Sequence, residues 1–279
     1  FNVENETTHL HGLFGAIKDA TIKNLKLGAA GDQITLVGTS QNVVSAGALA
    51  GYAEGSTIVN VTNNVSVILT GDNPDATLMM LAGIAGCIKS TTIGGETKDD
   101  AVINNGDVKT GRITNTANGG TGMNIGGICA FTLGAGTKLN YCTNNGEISA
   151  PTGRGGGLVG GTVTNNNLRI EYCTNNGNVF SQLGCRTGGF VGHNQATIVG
   201  CVNKGTILAD ITYASGEPQH GPGWACGYSG KKLVTQCAKG GRVGEWDTYK
   251  DNPGSAPEAT NDNALCYKNG DYFDPSQNY

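Results

Sequence analysis

Charge is scarce in this chain. Only 14% of its 279 residues are Asp, Glu, Lys or Arg, against a usual level near ~25%, and the formal net charge is −4. Such a balance offers no basic face to nucleic acid or to an anionic membrane. Disorder driven by charge is excluded too, because 38% of the residues are hydrophobic. Proline is limited to 7 residues and glycine has no three-residue period, which excludes collagen. The longest apolar run, Leu78 to Ile88, is broken by Gly83 and Gly86 and is too short to span a bilayer. No Cys-x-x-Cys pair and no clustered His give zinc spacing. No Gly-Lys-Ser/Thr follows the glycine pairs, so a phosphate loop is absent. What the chain has in excess is glycine, 46 of 279 residues, more than twice the ordinary level of about 7%.

The glycines are organised. A tetrad recurs seven times: Gly12-Leu13-Phe14-Gly15, Ala48-Leu49-Ala50-Gly51, Gly83-Ile84-Ala85-Gly86, Gly127-Ile128-Cys129-Ala130, Gly157-Leu158-Val159-Gly160, Gly189-Phe190-Val191-Gly192 and Trp224-Ala225-Cys226-Gly227. The steps between their last residues are 36, 35, 44, 30, 32 and 35. A period in this range marks a solenoid. A second element follows, apolar-x-x-apolar: Ile22/Leu25, Ile58/Val61, Leu139/Cys142, Ile170/Cys173, Ile198/Cys201 and Val234/Cys237. A third begins in a turn and ends on a β-branched residue, as in Asn105-Gly106-Asp107-Val108, Asn145-Gly146-Glu147-Ile148 and Asn176-Gly177-Asn178-Val179. The first coil has no clear third element, and the second element of the third coil is poorly formed.

Three short apolar strokes separated by Gly and Asn do not suit helices, which need apolar spacing of three and four over ten or more residues. Asn and Gly tolerate the backbone of sharp corners. One coil cannot bury its inner face, but stacked coils can. The pattern predicts an all-β, right-handed parallel β-solenoid of about seven coils with three short strands per coil. It occupies residues 1–246, and 247–279 forms a Pro-containing loop followed by an aromatic tail that either caps the last coil or reaches a neighbouring copy. The 44-residue step predicts a loop over Thr110 to Asn124. The opening Phe1-Asn2-Val3-Glu4, without an initiator Met, reads as a mature form or an excised segment.

These tetrads, followed by Ile-x-Asn-Leu or Ile-x-x-Cys, resemble the GLUG repeat of bacterial secreted and surface proteins and of certain protist proteins. The resemblance runs from about Gly12 to Val243. It implies an extracellular or surface location and a stalk-like or adhesive role, and it carries no catalytic residue across. Cysteine at the last position of the second element departs from the Leu or Val more common there.

Candidate chemistry is sparse. Of nine cysteines, Cys142, Cys173, Cys201 and Cys237 share one repeat position and predict an inward column. They serve there as small buried hydrophobes or as bridges between adjacent coils. Sequons at Asn5, Asn60 and Asn64 mark glycosylation only in a eukaryotic secretory route. Polysaccharide cleavage needs two flanking carboxylates. Asp107 and Glu147 are the best such pair, and a solvated surface is the simpler account of them. His9, His11 and His193 have no nucleophile pattern beside them. The expected function is a non-enzymatic extracellular structural or adhesive module that self-associates head to tail into filaments, with no cofactor and no metal. Its expected partners are other copies of itself, surface or matrix components, or glycans, with no nucleic acid and no membrane span. The alternative is a carbohydrate-binding or carbohydrate-cleaving β-helix.

Overall fold

A computed structural model of the chain describes residues 8–37, 43–70, 78–110, 122–163, 167–183, 186–194, 196–209, 222–229, 234–239, 243–245, 267–268 and 271–272. Among these, strands wind into seven coils stacked as a parallel β-solenoid. The second coil shows the plan: Val43–Gly47, Ala50–Glu54, Thr57–Asn63 and Ser66–Thr70 each enter a different sheet. Sheets 1, 2 and 4, numbered in this order, have seven strands each. Sheet 3 has twelve, because its strand is split in later coils. Pairing is parallel and in register from coil to coil, as in Ile93↔Ile58 and Val102↔Val61. Among the described residues no helix is long and apolar enough to cross a membrane.

The sequence pattern yields three strokes per coil, whereas the structure has four sheets. The additional strand precedes each tetrad, for example Leu78–Ala82 and Met123–Gly126. The tetrad itself is a corner plus the start of sheet 2. Its second residue (Leu49, Ile84, Ile128, Leu158 or Phe190) is fully buried in the main core. The first coil does have its last strand, Gln33–Val37, paired with Ser66–Thr70. Its turn uses Asp32, which accepts a hydrogen bond from Ala29 N (2.9 Å), in place of Asn-Gly.

The apolar-x-x-apolar spacing has a definite cause. In a straight strand, positions i and i+3 point to opposite faces. Here the residue before the second apolar position adopts a left-handed backbone: Asn24 (φ 58), Asn60 (φ 48), Tyr141 (φ 50), Tyr172 (φ 53), Gly200 (φ 63) and Gln236 (φ 55). That bend resets the alternation, so Ile58 and Val61, or Ile170 and Cys173, both reach the core. In the third coil Ile93 and Val102 take the two inner places with the loop 94–101 between them. The element that looks poorly formed in sequence is thus intact and interrupted. The loop expected at Thr110 to Asn124 falls mainly on 111–121, outside the described residues; Val108–Thr110 and Met123–Gly126 flank it in their regular places.

Sheets 1 and 2 crease toward each other outside the tetrad corner. Met79 and Leu81 join the main core, while Met80 and Ala82 meet Tyr52, Cys87 and Ala130 in a second buried cluster. Ser45 Oγ donates to Gly51 O across this crease (2.7 Å). A Cβ at Gly86 would overlap Ser45 and the backbone of Ala46. Only glycine allows the two strands to approach so closely at that point.

At the far end, Tyr267–Lys268 and Asp271–Tyr272 form an antiparallel pair. The strand Tyr267–Lys268 lies alongside Cys226–Ser229 of the last coil. This part of the tail folds back on its own solenoid. The remainder of 246–279 lies outside the described residues.

Candidate functional site

A buried ladder of asparagines runs along the inside of the wall. Asn63, Asn104, Asn144, Asn175 and Asn203 are fully buried. Each Nδ2 donates to the Oδ1 of the next coil: Asn63 to Asn104 (2.8 Å), Asn104 to Asn144 (2.8 Å), Asn144 to Asn175 (2.9 Å) and Asn175 to Asn203 (2.8 Å). Each also donates to a carbonyl two residues on, as Asn144 does to Gly146 O (2.9 Å). The tetrad glycines Gly83, Gly127, Gly157 and Gly189 lie against Asn104, Asn144, Asn175 and Asn203, and a Cβ on any of them would overlap the carboxamide. Repeat glycine and repeat asparagine therefore form one device. Sequence reasoning noted the Asn-Gly turns and missed this column. Its signal is an Asn two places after the inward Cys or Val, on the same face by alternation.

A second ladder lies one residue further on and outside. Asn176 donates to Asn145 (2.7 Å), Asn145 to Asn105 (2.7 Å), Asn105 to Asn64 (2.9 Å), and Asn64 to Gly28 O (3.0 Å). Its donors point toward the first coil, opposite to the inner ladder. The sequon residue Asn64 ends this outer ladder. Asn60 is exposed, and its Nδ2 donates to Asn24 Oδ1 (2.8 Å). Asn5 lies outside the described residues.

The cysteine column stacks in register. Cys142, Cys173 and Cys201 are fully buried and Cys237 is half-buried, and all four are free thiols. Backbone N–H of Cys142, Cys173 and Cys201 donates to the sulfur of the next coil at 3.3, 3.4 and 3.4 Å. Burial pushes the Cys173 thiol well above its ordinary pKa, and hydrogen bonding between neighbouring sulfurs raises Cys201 and Cys237. Thiols held protonated in this way are poor nucleophiles.

The carboxylates Asp107 and Glu147 do come together, with Lys109 between them. Lys109 Nζ reaches Asp107 Oδ2 at 2.9 Å and Glu147 Oε1 at 3.2 Å. Partial burial works against the Lys109 charge, yet the two carboxylates raise its pKa above the ordinary value. Asp107 Oδ1 also accepts from Glu147 N (2.8 Å), as Ser66 Oγ accepts from Asp107 N (3.1 Å) and Asn178 Oδ1 from Thr206 N (3.0 Å). This repeat position caps the next coil, a structural use for Asp107.

His193 lies in the crease, in register with Gly161 and Phe131. Burial first, and then Arg154 and Arg186, lower its pKa to about 3. His9 and His11 take the register positions of core residues Val44 and Ala46, in the first coil. Their rings stack at 6.3 Å, and burial with the His9 charge lowers the pKa of His11. Among the described residues no group of three or more His, Cys, Asp or Glu is placed to hold a metal ion.

The outer face of sheet 3 carries an aromatic pair. Tyr141 and Tyr172 stack with centroids 5.3 Å apart and planes 19° from parallel. Both occupy the left-handed bend where the first two coils use Asn. For a residue of this kind the conformation costs about 1–2 kcal/mol, and the ring stack returns about 0.5–1.5 kcal/mol. Beside them Glu171 binds Lys138 (3.0 Å) and Arg169. Its burial alone would raise its pKa, but these two cations lower it below the ordinary value. Asn140 donates to Gly95 O (2.5 Å), and its buried Oδ1 has no hydrogen-bond partner. Comparison with protein-family models, curated proteins and solved structures found no match to this chain.

Proposed function

We propose that this chain is a non-enzymatic structural and adhesive module of the extracellular space or cell surface, a solenoid of the GLUG-repeat kind that extends by stacking on another copy. The observation that carries this reading is the contrast between its first coil and the rest. Leu13 and Phe14 are 57% and 38% exposed, whereas the equivalent tetrad residues Leu49 and Ala50 are fully buried. Among the described residues, the outward edges of Thr8–His11, Phe14–Lys18, Thr21–Leu27 and Gln33–Val37 have no pairing strand. An edge of this kind templates further pairing. Continuing the register head to tail in sheets 3 and 4 would set Val234, Cys237 and Val243 of one copy against Ile22, Leu25 and Ile34 of the next, while the folded-back Tyr267–Lys268 lies beside the sheet 2 strand of the last coil. Such a heterologous contact propagates as a filament when its rotation does not close.

Sedimentation over a concentration series tests this directly. Self-association that is abolished by Leu13→Glu with Phe14→Lys, without loss of the folded monomer, supports the reading. A monomer at all concentrations removes the filament. Release of reducing or unsaturated ends from a polysaccharide, lost in Glu147→Gln, would replace the reading with an enzymatic one.

A further inference from the structure

We propose that His9 and His11 make the stacking of copies pH-dependent: the joint closes when both imidazoles are neutral, and acid opens it. This rests on the head-to-tail reading above and names its regulation.

The two histidines stand where the other coils are apolar. In sheet 1 the register runs His9↔Val44↔Met79↔Met123 and His11↔Ala46↔Leu81↔Ile125. Every residue beneath the two imidazoles in these columns is buried in the main core. His9 and His11 are half-buried, because the first coil has a neighbour on one side only. Their rings stack with centroids 6.3 Å apart. Pro222 closes the His11 column at the other end of sheet 1. A second copy continuing that sheet would set its Pro222 against His11 and cover the imidazoles on their open side.

Little else near the pair responds to pH. The strands packed against it are Val43–Gly47 beneath and Phe14–Lys18 and Gln33–Val37 in the same coil, and their one charged residue, Lys18, is exposed. Lys23, Lys26, Asp19 and Asp32 of this coil are exposed too, while Ile17, Leu25 and Leu36 line its inner side. No carboxylate of the described first coil therefore faces inward to hold an imidazolium. Burial already lowers the pKa of His11, and the His9 charge adds to the effect. Covering the pair would strengthen this desolvation. Across the joint, Cys237 is a thiol whose pKa is raised. Lys268 lies on the folded-back strand beside sheet 2. Glu245, two places after Val243, would come against Leu36. Lysine and carboxylate keep their charge between pH 7.5 and 5.5, and the thiol stays neutral. Among the described groups of the joint, the imidazoles alone change state in that window.

The residue type fits a switch. An edge that only resists pairing carries a permanent charge such as lysine, whereas imidazole is charged only in acid. The joined state favours the neutral ring. Association is then at full strength above the ordinary imidazole pKa of about 6.5 and is lost as pH falls below it, by up to about tenfold per ring and pH unit.

The test is sedimentation velocity of the full chain over a concentration series at pH 7.5 and pH 5.5, at constant ionic strength. The dissociation constant should rise about ten- to a hundredfold at the lower pH. His9→Gln with His11→Gln should associate equally at both values, and circular dichroism checks that it is folded. Should it unfold, His9→Leu with His11→Leu restores the apolar columns and replaces it. His193→Gln should keep the wild-type response, which separates the joint from the acid sensitivity of the crease. No association at pH 7.5 would overturn the filament reading and this proposal with it. Equal wild-type association at both values would overturn the switch alone. So would a response that survives in the double variant, because the sensor would then be another group. Tighter association at pH 5.5 would also overturn it, since the imidazolium ions would then find a partner such as Glu245 across the joint.

Discussion

Two asparagine ladders run side by side, one residue apart, and they are not equivalent. Asn144 is sealed in the core and Asn145 is exposed to solvent, although both donate through Nδ2 to a neighbouring coil. In the inner ladder an amide has no water to fall back on, so its partners decide its energy. In the outer ladder, water competes for every hydrogen bond. The same residue in the same kind of stack thus specifies register on the inside and adds little on the outside. The opposed donor directions also set the two rows of amide dipoles against each other, so their fields along the wall partly cancel.

The largest expected effect comes from breaking the inner row. Asn144→Ala removes the acceptor for Asn104 and the donor for Asn175 and Gly146 O. At about 1–3 kcal/mol for each orphaned group, the loss should be about 3–5 kcal/mol in urea unfolding. Gly157→Ala attacks the same row from the tetrad side, where a Cβ overlaps Asn175. Overpacking of this kind costs about 1–3 kcal/mol, and it should lower the unfolding midpoint measurably. Asn145→Ala, by contrast, should change stability by no more than about 0.5–1 kcal/mol.

His193 is a half-buried polar group that belongs to neither ladder. The unfolded chain takes up a proton as the pH falls below about 6.5, while the folded chain resists until about 3. Stability from this group is therefore complete above pH 6.5 and lost as pH drops toward 3. Between pH 7 and pH 5 the loss should reach at most about 2 kcal/mol. His193→Gln should flatten that part of a melting-temperature profile. A wild-type profile already flat there would mean the imidazole is freely hydrated.

Much of the architecture is legible in the residues because a repeat displays its own alignment. The tetrads locate seven corners, and Cys142, Cys173, Cys201 and Cys237 locate one inward column. The strand before each tetrad is hard to see in the sequence because its members share no residue type: Leu81, Ile125, Gly155 and Thr187 occupy one register position. The inner ladder was hidden by the Asn-Gly turn beside it, since Asn144 and Asn145 look alike in sequence while facing opposite ways. The Tyr141–Tyr172 stack depends on a left-handed bend at a spacing that sequence alone reads as two free positions. Likewise Asp107 reads as a candidate acid until its hydrogen bond to Glu147 N and its pairing with Lys109 are seen.

A buried amide ladder zips the coils together, and side-chain amide hydrogen exchange observed by NMR reads that ladder residue by residue. Protons on Nδ2 of Asn63, Asn104, Asn144 and Asn175 should exchange only through global unfolding, with the protection of the core strands. Those of Asn105, Asn145 and Asn176 should exchange orders of magnitude faster. Comparable, rapid exchange in both rows would rule the ladder out as the zipper, because the inner asparagines would then be open to water and the register would rest on something else.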